Sequence, residues 1–228
     1  MALSIADEAL ALSEAQDDRS ALALSLWAAA AARQGDADPR RRLELGERVV
    51  ALALELDDDR SFANGQRVVA LSSLELGDLA GFDRAVARMM RVATSTRSWI
   101  YAADVARWHG LRAMATGNWT LARESIERQK EYGGSASIYP ASYAGQLLLL
   151  SRERGQLEAA RALAERAVSL LSDAPALDAF RCVLALIASE MGDDETARSL
   201  YSSYFVDGEL ALAPGRTYPT ALAALCEL

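Results

Sequence analysis

Lysine is nearly absent: Lys130 is the only one among 24 basic residues, and the rest are arginine. Histidine occurs once, at His109, and cysteine twice, at Cys182 and Cys226. Each shortage excludes a chemistry. A phosphate-cradling GxxxxGK[ST] loop needs a lysine behind its glycines, and Lys130 stands in mid-helix instead. A metal centre or nucleophilic triad at His109 needs a second histidine or a cysteine within sequence range. None is there, so His109 reads as a partly buried packing residue. The cysteines are 44 positions apart with no CxxC, which makes them reduced, unpaired thiols on different hairpins. The segment Gly133-Gly134-Ser135-Ala136-Ser137 comes near a nucleophile elbow but lacks the second glycine and a preceding strand, so it reads as a loop. The sequence therefore nominates no catalytic, cofactor-binding or metal-binding residue, and the chain reads as not an enzyme.

Long apolar runs are missing too. The longest, Ala21–Ala32, is broken by Ser25 and falls short of the roughly 18 residues that a membrane span needs. The first eighteen residues carry no Lys or Arg but do carry Asp7, Glu8, Glu14, Asp17 and Asp18, the reverse of a secretory leader. The expectation is a cytoplasmic protein. Acidic residues outnumber basic ones by 32 to 24, for a net charge of −8, so an electrostatic grip on nucleic acid is not expected.

What is abundant is alanine and leucine, 46 and 34 residues of 228. With Val, Ile and aromatics sparse, that composition favours helix over sheet. Helices are predicted over Ala2–Gln16, Ala21–Gln34, Pro39–Leu56, Ser61–Leu76, Asp78–Thr94, Ser98–Thr116, Trp119–Tyr132, Tyr139–Arg154, Gln156–Leu171, Ala176–Met191, Asp194–Phe205 and Thr217–Leu228. Ser20 is the predicted cap of the second, with Gly35 ending it, and Asp38-Pro39 is a start signal for the third. Asp57–Asp59 and Asp193–Glu195 could suggest a divalent cation, but they lie at helix junctions and lack calcium-loop spacing, so they read as caps. The stretch Asp207–Gly215 reads as loop. Of the four tryptophans, Trp27, Trp108 and Trp119 read as packing wedges, while Trp99 is the least certain.

The corners recur. Leu76-Gly77-Asp78-Leu79, Thr116-Gly117-Asn118-Trp119, Arg154-Gly155-Gln156-Leu157 and Met191-Gly192-Asp193-Asp194 place their glycines 40, 38 and 37 residues apart, with Gly35 lying 42 before Gly77. Seven positions before each glycine stand Ala28, Ala70, Gly110, Leu148 and Ala185, and five after stand Phe82, Ala122, Ala160 and Ala197. Nine after come Val86, Ile126, Ala164 and Tyr201. A fixed period of this size means stacked helical hairpins whose paired helices approach closely at small residues.

This glycine, with an apolar residue two later, Ala five later and a small residue seven earlier, resembles a divergent tetratricopeptide repeat. Gly35-Asp36-Ala37-Asp38-Pro39, Leu74-Glu75-Leu76-Gly77-Asp78 and Leu147–Gln156 further resemble the MalT-like helical-repeat regions of bacterial LuxR-type and switch-ATPase regulators and of multidomain adenylate cyclases. The resemblance implies an all-α α-solenoid of antiparallel hairpins, read as one helical-repeat domain over 1–228 with about eleven or twelve helices. Its first helix reads as a second hairpin member and its last as a first member, as in a piece of a longer array. In such regions the repeats sense a ligand or partner and bias a neighbouring domain.

In tetratricopeptide-like hairpins the first helix lines the concave face. With each corner glycine as position fifteen, positions two and five fall on Asn64 and Arg67, Asp104 and Arg107, and Ser142 and Gly145, and position twelve of the third repeat is Arg152. The next repeat gives Ala179 and Cys182, so the polar set fades. The candidate partner-binding residues are therefore Asn64, Arg67, Asp104, Arg107, Ser142 and Arg152. Three arginines in an acidic molecule suit a carboxylate or phosphate partner, unless they pair internally with Asp104, Glu75 and Glu153. The expected function is a non-catalytic scaffold or sensor that binds a protein, a peptide or a small effector without any cofactor. The alternative is a self-association module.

Overall fold

The computed structural model describes residues 2–16, 18–34, 38–133, 140–171, 176–212 and 218–228. The protein is all-α, with twelve helices among those residues: α1 (Ala2–Ala15), α2 (Arg19–Ala32), α3 (Arg40–Leu56), α4 (Asp59–Glu75), α5 (Leu79–Ser95), α6 (Trp99–Ala115), α7 (Trp119–Gly133), α8 (Pro140–Glu153), α9 (Leu157–Leu170), α10 (Leu177–Glu190), α11 (Asp194–Ser202) and α12 (Tyr218–Glu227). They fall into two compact units, Met1–Val105 and Ala106–Leu228. In the first, α1 packs on α2, α2 on α3, α3 on α4 and α4 on α5; in the second, α7 packs on α8, α8 on α9, and α10 on α9, α11 and α12.

One corner is used six times. Gly77, Gly117, Gly155 and Gly192 have φ of 76°, 70°, 68° and 77°, the left-handed conformation that ends a helix at low steric cost. Behind each, the next residue's N–H reaches back to a carbonyl five residues earlier: Asp78 to Ser73 (2.8 Å), Asn118 to Ala113 (2.9 Å), Gln156 to Ser151 (2.9 Å) and Asp193 to Ala188 (2.8 Å). The same bond follows Asp57 and Arg97, from Asp58 to Ala53 (3.0 Å) and from Ser98 to Ala93 (3.1 Å), at φ of 53° and 52°. Left-handed residues thus stand at 57, 77, 97 and 117, twenty apart.

The residue behind each corner starts the next helix. Asp58 accepts from the N–H groups of Arg60 and Ser61, Asp78 from Gly81, Asn118 from Leu121 and Asp193 from Thr196. Gln156 makes no such bond. The acidic clusters 57–59 and 193–195 therefore cap and terminate helices. At α2 the cap is Asp18, whose carboxylate accepts from Ala21 N–H at 3.0 Å, and not Ser20, which lies inside the helix. Asp38 accepts from Arg40 N–H at 3.0 Å, while Pro39 is already helical at φ −76°. Gly35 and the loop from Gly134 to Tyr139 lie outside the described residues.

The periodic positions are buried as their spacing requires. Ala70, Ala122, Ala160 and Ala185 have no exposed surface, and Phe82, Val86, Ile126 and Ala164 are buried. Two positions depart. Tyr201 is exposed, and near Gly35 the fully buried alanines are Ala29 and Ala30, since Ala28 is only half-buried. Ala30 stands forty residues before Ala70, so the spacing from the cap holds where the spacing from the glycine slips by two. In the first unit Gly46 and Gly65 bring α3 and α4 together: a Cβ at Gly46 would meet Val68 Cγ1 at 2.7 Å, and one at Gly65 would meet the Val50 backbone nitrogen at 3.0 Å.

The expectation of no sheet needs one correction. Helix α11 stops at Ser202, and β1 (Phe205–Val206) and β2 (Glu209–Leu210) form a two-residue hairpin. Its turn is Asp207-Gly208, both at positive φ (52° and 82°), the pairing that a tight antiparallel turn demands.

Candidate functional site

Position five of α4 and position two of α6 come together in the first unit. Arg67 Nε lies 3.1 Å from Asp104 Oδ2. Asp104 is wholly buried, a placement that a carboxylate tolerates when a cation and hydrogen bonds compensate its lost hydration. The Arg67 side chain keeps 34% of its surface exposed, and Asn64, one turn earlier on α4, is half-buried. Tyr101, one turn before Asp104, has its hydroxyl pKa pushed up by burial.

In the second unit the candidates meet a buried amide pair that the sequence reading missed. Gln129 is fully buried on α7 and donates Nε2–H to Ser142 Oγ on α8 at 3.2 Å. Gln146, one turn along α8, donates Nε2–H to the Arg107 carbonyl at 2.8 Å. Ser125 is buried one turn before Gln129. The signal was in the sequence: Ser125/Gln129 and Ser142/Gln146 are both i,i+4 polar pairs. The Arg107 guanidinium stacks over the Trp108 ring at 5.1 Å. Gly145 faces Phe180, whose Cζ a Cβ would meet at 3.8 Å.

Arg152 is spent on carboxylates. Nε and Nη2 grip Glu190 at 2.6–3.1 Å, and Nη2 also reaches Glu227 Oε2 at 2.7 Å. Glu153 is more distant, at 3.8 Å. The side-chain hydrogen bond to Glu190 is the main cause that raises the Arg152 pKa further. Glu75 pairs with Arg42, a guanidinium 2% exposed that also donates to Ser72 Oγ and to the Arg33 carbonyl. Two of the three arginines are thus held by Asp104 and Glu190, and neither uses Glu75.

Ala179 and Cys182 are buried on α10. Burial pushes the Cys182 thiol up to about 11, beside the Tyr204 hydroxyl, which bonds Asp178 Oδ1 at 3.1 Å. Cys226 is exposed, and both cysteines are free. His109 is exposed on α6, not partly buried as its position beside Trp108 suggested. Trp108 is 3% exposed, Trp27 and Trp119 are half-buried, and Trp99 is 44% exposed. Among the described residues no helix is long and apolar enough to cross a membrane.

No protein-family model matches the chain, and no curated protein is significantly similar to it.

Proposed function

We propose that the chain is a non-catalytic α-solenoid that binds a protein or peptide segment on its first-helix face, with Asn64 and Arg67 as the contact residues of the first unit. The observation that supports this is the Arg67–Asp104 pair. Its aspartate is fully buried, while the arginine at its mouth stays a third exposed. An arginine carries five N–H donors, so one ion pair through Nε leaves the rest for a partner carboxylate. Holding Nε also fixes the guanidinium plane and lowers the ordering cost of recognition. The six repeated corners support the solenoid reading, because equal hairpins set their first helices side by side. Two free cysteines fit a reducing compartment and so the cytoplasm. Within a bacterial signalling or transcription-regulating protein, such a face would let a bound segment bias a neighbouring domain.

The test is a displayed peptide library selected on the purified chain, followed by affinity measurements on the best binder. Arg67→Ala and Asn64→Ala, shown folded by circular dichroism, are expected to weaken that peptide by about tenfold, or roughly 1.4 kcal/mol. Unchanged affinity in both variants would remove this face as the site.

A further inference from the structure

One junction of the repeat carries polar side chains where the other repeats carry apolar ones. Counted from the corner glycine, Gln146 takes the place that Val68, Trp108 and Val183 hold elsewhere, and those three are at most 7% exposed. Gln129 takes the place of Met89, Ala167 and Tyr204, and Ser125 that of Ala85, Leu163 and Leu200. The polar residues are no less buried than the apolar ones: Ser125, Gln129 and Gln146 are 1%, 0% and 5% exposed. All three lie on α7 and α8 of the second unit.

Their hydrogen bonding is incomplete. Gln146 Nε2 donates to the Arg107 carbonyl at 2.8 Å, and a carbonyl can only accept, so the amide's orientation is fixed and Oε1 turns the other way. That oxygen, Gln129 Oε1 and Ser125 Oγ are buried and have no hydrogen-bond partner among the described residues. Buried groups of this kind are costly to leave dry. The antiparallel hairpin gathers them. Gln129 meets Ser142 across it, donating Nε2–H to Oγ at 3.2 Å, so one turn away Ser125 of α7 stands opposite Gln146 of α8. Helical side chains lean towards the start of their own helix, which carries Gln129 towards Ser125 and Gln146 towards Ser142. The two amides therefore converge on the middle of the hairpin.

Gly110 of α6 supplies the room. Its counterparts Ala70, Leu148 and Ala185, seven positions before their own corner glycines, are all buried and all carry a Cβ. A Cβ at Gly110 would lie 3.6 Å from both Nε2 and Oε1 of Gln146 and 3.5 Å from Ile126 Cγ1, which are ordinary van der Waals distances. A methyl-sized space thus adjoins the amide oxygen that lacks a donor. Water has that size and brings two donors and two acceptors. We infer that an internal water sits beside Gly110, donating to Gln146 Oε1 and Gln129 Oε1 and accepting from the Ser125 hydroxyl. Three partners are the usual number for a buried water, and every group in the cluster is then satisfied. Such a site ties α6, α7 and α8 together in one register, because a slip of either helix would strand the amides.

Oxygen-17 relaxation dispersion of the solvent, which counts long-lived buried waters, tests this on the full chain, alongside thermal melts of variants. Gly110→Ala fills the space with a methyl and should remove one long-lived water. A glycine-to-alanine change within a helix ordinarily raises the melting temperature, whereas here a fall of about 2–4 °C is expected. Gly110→Ser sets a hydroxyl where the water stood, so it should melt above Gly110→Ala although serine is the weaker helix former. In a Gln146→Met background, which removes the amide oxygen, Gly110→Ala should raise the melting temperature again. An unchanged water count in Gly110→Ala overturns the inference, whatever the melts show. So does a Gly110→Ser variant that melts no higher than Gly110→Ala, since that is overpacking and not the loss of a hydrogen-bonded water.

Discussion

Asp57 and Arg97 hold the same left-handed backbone as the corner glycines, at a steric cost that glycine does not bear. The sequence could not announce them, because an aspartate among three aspartates and an arginine between Thr96 and Ser98 carry no left-handed signature. The glycines carried one, which is why four of the six corners were legible and the other two were not. The asymmetry gives an expected outcome. Asp57→Gly and Arg97→Gly should each stabilise the chain by about 0.5–1 kcal/mol, and Gly77→Ala and Gly155→Ala should each cost about 1 kcal/mol. A Cβ at either glycine meets nothing within 4 Å, so backbone strain alone is being read. Urea midpoints at unchanged m-value check this. The ion pairs were legible in kind but not in partner. Asp104 was among the expected partners and Arg67 takes it, whereas Arg152 found Glu190 because a glutamate one repeat on lies across a helix interface. The adjacent Glu153 lies about 100° round the same helix.

Helices respond to their starts and their closest neighbours. Asp78 caps α5 by accepting from Gly81 N–H at 2.8 Å, and a Cβ at Gly81 would collide with that carboxylate. Asp78→Ala and Gly81→Ala should therefore each cost about 0.5–2 kcal/mol by the same route, and the double variant should cost little more than either single one. Gly65→Ala belongs to a different mechanism. Its methyl meets Val50 backbone, which cannot turn aside, so α3 and α4 must separate at a cost of about 1–3 kcal/mol, additive with the cap changes. Thermal melts of the four variants check both statements. Element boundaries were legible to within a residue or two wherever a polar cap follows the corner. They failed at Ser20 and at Phe205. In the first case Asp18 is the stronger acceptor, and in the second Asp207-Gly208 forms a tight turn that helix periodicity does not register.

For the whole molecule, the ionisable groups set a window of stability. The side-chain hydrogen bond with Ser61 holds the Asp58 carboxyl below the usual range, and the Thr196 backbone N–H does the same for Asp193. A lowered acid stabilises the fold above its unfolded value of 3.8 and loses that contribution as pH falls below it. Burial acts the other way on Cys182, raised from 9.0 to about 11, and it raises Tyr204 as well. Their contribution is complete below pH 9 and fades as pH rises towards 11. The melting temperature is expected to be flat between those limits and to fall outside both, with Cys182→Ala flattening the alkaline fall in part. A curve still level at pH 11 would contradict the assigned burial. The helical class was legible because alanine-rich periodicity is local information. The division into two units and the Gln129–Ser142 and Gln146–Arg107 hydrogen bonds were not, since both depend on which helices meet across the chain.

The twenty-residue spacing of the corners has a consequence for how such a molecule changes length. A left-handed residue followed by a capping residue recurs at 57–58, 77–78, 97–98 and 117–118, so every joint is chemically the same joint. Excising 58–97 would set Ser98 directly behind Asp57, and excising 78–117 would set Asn118 directly behind Gly77. Either splice regenerates a working corner from parts that already perform that role. Recombination between repeats can therefore add or remove forty residues at a time without inventing a new turn. An insertion that does not run from one corner to another would have to build one.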